Sequence, residues 1–180
     1  SKLRVLIVLA LVLSLPALAV AAGTTYDVDK VHSSVGFSVR HLLSQVQGKY
    51  NDFAGTIVYD PANPTASSVE MTVQAASIDT GVEKRDGHLK SPDFFDAAKF
   101  ATLGFKSEKV VAKGKDELEV TGAFTMHGVT KTITVPVKVL GVMSTQAFGQ
   151  RAGFSATFSV NRQDYGVKWN KTLDNGGPLI

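Results

Sequence analysis

The chain contains no cysteine. That excludes a disulfide scaffold, thiolate metal sites and thiol catalysis, so an apolar core alone must hold the fold. There is no glycine-rich phosphate loop and no dinucleotide fingerprint. His32, His41, His88 and His127 stand far apart, without HxH or HExxH spacing, so no metal and no cofactor are expected. A charge excess is also missing. Setting aside Lys2 and Arg4 at the extreme N-terminus leaves 17 bases against 16 acids, interspersed, which gives no footprint for nucleic acid.

What is present begins with "SKLRVLIVLALVLSLPALAVAAG". A basic start, an apolar run from Val5 to Leu15, then Pro16 and small residues have the layout of a secretory leader. Residues 1–22 are expected to be a signal peptide cleaved near Ala21-Ala22, which makes the mature protein periplasmic or secreted. The competing reading is an uncleaved membrane anchor, since the run approaches the ~20 residues that span a bilayer. Residues 23–180 then form one domain.

Period two dominates that domain. Val35, Phe37 and Val39 alternate with small or polar residues, as do Phe53, Gly55, Ile57 and Tyr59, then Val69, Met71 and Val73. Leu103 and Phe105 follow, then Leu118, Val120, Gly122, Phe124 and Met126. Ile133, Val135, Val137 and Val139 make a sixth run, and Ala152, Phe154, Ala156, Phe158 and Val160 a seventh. Strict alternation predicts half-buried strands, and seven of them in meander order predict an all-β antiparallel barrel or sandwich. Gly128 in "MHGVT" predicts a tight hairpin with a positive φ. Pro136 predicts a local edge or bulge in its strand.

The stretch "EKRDGHLKSPDFFD" (83–96) breaks the alternation. Thr80 and Glu83 have capping-box spacing, which predicts a helical excursion near 81–95 whose inner face carries Val82, Arg85, Asp86 and Leu89. Ser91-Pro92 ends it, and a following turn sends Phe94 or Phe95 inward. Asp86 and His88 are poorly spaced to work together, and no serine is set as a nucleophile. A structural role is expected here and no catalytic residue is assigned. The best set for an enzyme acting on a lipid or quinone is Asp164-Tyr165 with Arg162 and His41, which the strands do not force together.

Five segments, "DVDKVHSSVGFSVRH" (27–41), "GKYNDFAGTIVYD" (48–60), "SIDTGVEKRDGHLKSPDFFDAAKF" (77–100), "VTGAFTMHGVTKTITVPV" (120–137) and "RAGFSATFSVNRQDYG" (151–166), occur in the order and spacing of the YceI-like family of exported bacterial proteins. The chain closely resembles that family over its mature length. The resemblance implies a lipocalin-like barrel with a long apolar interior. It also implies non-catalytic binding, carriage or storage of an isoprenoid quinone or polyprenyl chain. Two departures stand out. Ala101 replaces a proline usual after the Lys-aromatic pair, and the family's closing strand beyond "NGGPLI" is expected to be missing here.

On this reading the cavity is lined by Val35, Phe37 and Val39, by Phe53 and Ile57, by Met71 and Val73, and by Leu89 and Phe94. Leu103, Phe105, Phe124, Met126, Val135, Phe154 and Phe158 complete the lining. Arg40, His41, Arg85 and Arg162 are candidate head-group contacts. A one-residue error in any strand would exchange its inner set for its outer one. Transient membrane contact fits such a ligand, and the oligomeric state is open. The alternatives are another long amphiphile, such as a fatty acid or fatty amide, or a filled β-sandwich that serves as an interaction module.

Overall fold

The computed structural model describes residues 23–171 and Ile180. The leader reading (1–22) and the glycine-rich end (172–179) lie outside the described residues. The strands are β1 (Thr24–Asp27), β2 (Val35–His41), β3 (Ser44–Tyr50), β4 (Phe53–Tyr59), β5 (Ser68–Gln74) and β6 (Ile78–Asp79). After the helix α1 (Glu83–Lys90) come β7 (Thr102–Ala112), β8 (Glu117–Met126), β9 (Val129–Thr145) and β10 (Gly149–Ala156). Seven of them form one antiparallel sheet, β1-β4-β5-β7-β8-β9-β10, which curls into a nearly closed barrel. β2, β3 and β6 form a second, smaller sheet.

This differs from seven strands in one meander. The β2 run lies in the small sheet, paired along its whole length with β3, which pairs in turn with the short β6 through Lys49↔Asp79 and Tyr50↔Ile78. β1 is too short to show alternation. β3, "SQVQGKY", offers only Val46 and Tyr50 on its inner side with Gly48 between them. Glycine is needed at that position, because the Phe37 ring lies across it and a Cβ there would sit 2.4 Å from the ring.

The seventh run also ends early, at Ala156, leaving Phe158 43% exposed and Val160 beyond the strand. Pro136 explains the stop. Ala156 pairs with Val137, so the next rung would need the N–H that proline lacks. Pro136 is therefore a local edge on its β10 side, while β8 continues to pair opposite it at Glu119. The expected tight hairpin is present. His127 and Gly128 both take positive φ, 52° and 74°, the pattern of a type I′ turn.

The helix forms where the alternation fails, but without the capping box. Its N-cap is Val82, which makes no side-chain cap and is exposed. Thr80 is drawn away by Asp86, whose Oδ1 accepts from both the Thr80 amide and its hydroxyl. Ser91 closes the helix by donating from Oγ to the His88 carbonyl (2.7 Å). The turn that follows buries Phe94 and packs Phe95 on the core.

Inside the barrel the buried residues fall into two clusters. One, at the α1 end, is built on Tyr50, Phe53, Val73, Ile78, Leu103, Met126 and Tyr165. The other, at the opposite end, is built on Tyr59, Val110, Leu118, Val120 and Val139. The apolar member of each alternating pair is the less exposed one in β2, β4, β5 and β8.

Candidate ligand-binding interior

Between the two clusters runs a band of apolar side chains that face inward yet are only half-buried. The register sets Met71 opposite Phe105 and Phe105 opposite Phe124. Ile57, Phe105 and Phe154 border one cluster, while Met71 and Phe124 border the other. Val35, Phe37 and Val39 present a similar half-buried row from the small sheet. Phe53, Val73, Leu103 and Met126 differ from these because they are buried in the α1-end cluster, and Val135 is buried as well. Leu89 packs against the α1-end cluster. Phe158, past the end of β10, sets its ring edge-on to Phe124 at 5.7 Å.

The α1 end is closed by aromatic packing. His88, Phe94 and Trp169 stack mutually with ring centroids 5.0 Å apart, and His88 Nε2 donates to Asp93 Oδ2 at 3.0 Å. Arg162 lies under this group, with its guanidinium carbon 6.0 Å from the Phe94 centroid. Its Nη1 donates to the Val167 carbonyl (2.8 Å). Its Nη2 is buried and has no partner among the described residues. Burial pulls the guanidinium below its ordinary pKa because a charge removed from water is disfavoured. Even so lowered, an arginine stays cationic at neutral pH.

The other charged candidates are placed differently. Arg85 is committed to the corner before α1, donating from Nε to Thr80 Oγ1 (2.7 Å) and from Nη2 to the Thr80 carbonyl (3.0 Å). Arg40 donates to the Leu42 carbonyl at the exposed tip of the β2–β3 hairpin. His41 is at the same tip, opposite Ser44, six residues and about 20 Å along the strand from Val35. Val35 is the end of β2 that packs with Tyr165 in one cluster. The structure therefore does not bring His41 to Asp164 and Tyr165. Asp164 pairs instead with Lys131 (3.6 Å), and Tyr165 is buried with its carbonyl accepting from His127 Nδ1 (3.2 Å).

Sequence reasoning missed Lys131. It pairs with Phe124 on β8 and shares the parity of Ile133 and Val135, so its stem runs on the inner face. Its Nζ sits 5.7 Å from the Tyr165 ring centroid. The parity of β9 alone would have flagged it. Among the described residues no three His, Asp or Glu side chains gather as metal ligands.

Comparison with known proteins agrees with this architecture. A YceI-like domain matches residues 26–179. A UPF0312 protein of Vibrio cholerae is 43% identical, covering 89% of this chain and 85% of its own length. One from a Shewanella strain is 40% identical, covering 85% and 81%. Among solved structures, Burkholderia cenocepacia BcnA superposes with a TM-score of 0.72 at 27% identity, over 78% of this chain and 84% of that one. A Campylobacter jejuni YCEI protein superposes with a TM-score of 0.64 at 33% identity, over 78% and 83%. With the domain match covering residues 26–179 and relatives above 40% identity, this chain belongs to the YceI-like family.

Proposed function

We propose that this protein binds and carries a long-chain isoprenoid lipid, such as an isoprenoid quinone or a polyprenyl chain, in the barrel interior, without catalysing a reaction on it. One observation carries the reading: inward apolar side chains, Ile57, Met71, Phe105, Phe124 and Phe154, stay only partly buried between two packed clusters. A domain of this size ordinarily covers such residues. An apolar chain threaded along the band removes them from water. Each isoprene unit so buried is worth roughly 3–4 kcal/mol gross, at about 0.8 kcal/mol per carbon, part of which is spent on ordering.

Of the candidate polar contacts, Arg162 fits a head group best. Its Nη2, without a partner among the described residues, is a buried donor that a quinone carbonyl, carboxylate or phosphate oxygen would satisfy. The reading includes export, with the leader removed near Ala21-Ala22, so that loading and delivery take place outside the cytoplasm.

Mass spectrometry of an organic extract, from protein purified after expression with its leader in a bacterium, tests the proposal. A stoichiometric isoprenoid is the expected result, together with a mature N-terminus near Gly23. A stoichiometric fatty acid or amide replaces the ligand class. An empty extract from folded protein that also fails to take up added quinone overturns the reading.

A further inference from the structure

The two hairpins that leave the α1 end carry features that lipid binding in the interior does not use. β2 runs from Val35, packed in the α1-end cluster, to His41. β9 runs from Val129, packed against that same cluster, past Val139 in the other cluster to Thr145. Both therefore end in tips that point away from α1.

Both tips are apolar and open to water. Leu42 and Leu43 make the first turn, with Leu42 at a φ of 54° and Leu43 99% exposed. On the second hairpin Leu140, Val142, Met143 and Phe148 are exposed, Phe148 at 66%. Val142 pairs with Ala152 and Met143 with Arg151, so consecutive apolar residues lie on opposite faces of this ribbon. Covering one face by folding it onto the barrel leaves the other in water.

The charge around these tips has one sign. No Asp or Glu occurs in residues 30–51 or 120–163, which contain the two hairpins. Arg40 is adjacent to the Leu42-Leu43 turn, and Arg151 stands across from Met143. The acids nearest this end belong to the β4–β5 and β7–β8 turns. The Asp116 carbonyl accepts from the Val139 amide (2.8 Å), which fixes the β7–β8 turn at the level of Val139. Thr145 lies six strand residues farther out, about 20 Å, more than two Debye lengths at physiological salt.

We propose that the β2–β3 and β9–β10 tips form a docking surface for an anionic lipid bilayer. Leucine, methionine and phenylalanine side chains enter the acyl boundary, and Arg40 and Arg151 meet the head groups. A second copy of the chain would present an equally basic tip and be repelled, which favours the membrane as occupant.

Sedimentation of the full protein with vesicles, equimolar phosphatidylglycerol and phosphatidylcholine against phosphatidylcholine alone, tests this. Binding is expected to the anionic vesicles only, weakening as salt rises. Leu43→Ser and Phe148→Ser are each expected to weaken it about tenfold, the factor set by one large apolar side chain. Arg40→Gln with Arg151→Gln is expected to flatten the salt dependence. Neither Leu43 nor Phe148 belongs to a core cluster, so thermal melts and retained lipid are expected to match the parent protein. Failure here is thereby separate from failure of the ligand reading. Equal affinity for both vesicle types, no affinity for either, or unchanged binding by both serine variants overturns the proposal. So does a concentration-dependent dimer that both variants abolish, which would assign the tips to self-association.

Discussion

Single side chains set several of the limits of this fold. Gly128 combines a φ of 74° with a Phe100 ring atom 2.5 Å from where a Cβ would stand. Gly128→Ala is expected to destabilise the protein by about 2 kcal/mol or more, since strain and clash add, as read from the midpoint of urea unfolding. Tyr50 offers a pH test. Burial raises its phenol pKa well above the ordinary tyrosine value, and burial raises Tyr59 and Tyr165 in the same direction. A group whose pKa is higher folded than unfolded gives its full stability below the unfolded value and loses it above that value. Stability is thus expected to hold up to about pH 10 and to fall beyond it. Tyr50→Phe keeps the ring contact with Phe37 at 5.7 Å and should make the alkaline fall shallower. An equally steep fall in that variant would assign the loss to other groups.

Elements were legible from the sequence in proportion to the length of their alternation. β4, β5, β7, β8 and β9 each carry several apolar residues at spacing two and appear where that spacing predicts them. β1 has four residues, and in β3 a glycine stands where a large side chain would have shown the pattern. No periodicity separates the small sheet from the large one, because both bury the same kinds of residue. The corner at α1 was misread because Thr80 has two available roles. Capping a helix and accepting Arg85 Nε compete for one hydroxyl, and the bond network with Asp86 prevails. The less exposed apolar residues of β2, β4, β5 and β8 follow strand parity, whereas Arg162 stands out only by its burial and by an Nη2 without a partner among the described residues. Asp86→Ala leaves the Thr80 amide without its acceptor. An unmet group of this kind costs about 1–3 kcal/mol. Faster hydrogen exchange confined to Glu83–Phe95 is the expected outcome, and exchange that rises uniformly over the barrel would contradict a local clamp.

At the scale of the molecule, the proposed binding of a lipid along the half-buried band would make stability depend on occupancy. Anything bound only by the folded state stabilises it by mass action, about 2.7 kcal/mol at a hundredfold excess over Kd. For a chain of this size that corresponds to roughly 5–10 °C in Tm. Protein stripped of lipid with detergent or solvent should therefore melt lower than protein as purified, and added quinone should restore the difference. A melting point indifferent to stripping would contradict occupancy of the band. With two packed clusters independent of the ligand, the stripped protein is expected to lose stability and keep its architecture.

The packing at the α1 end also gives the molecule an optical property. Trp169 is the sole tryptophan of the chain, and it is held 5.0 Å from both the His88 imidazole and the Phe94 ring that covers Arg162. All indole emission therefore originates at one corner, with no second tryptophan to dilute it. Its colour and intensity report the polarity and order of that corner alone, so a ligand group that reaches the Arg162 guanidinium can be followed in real time without attaching a label.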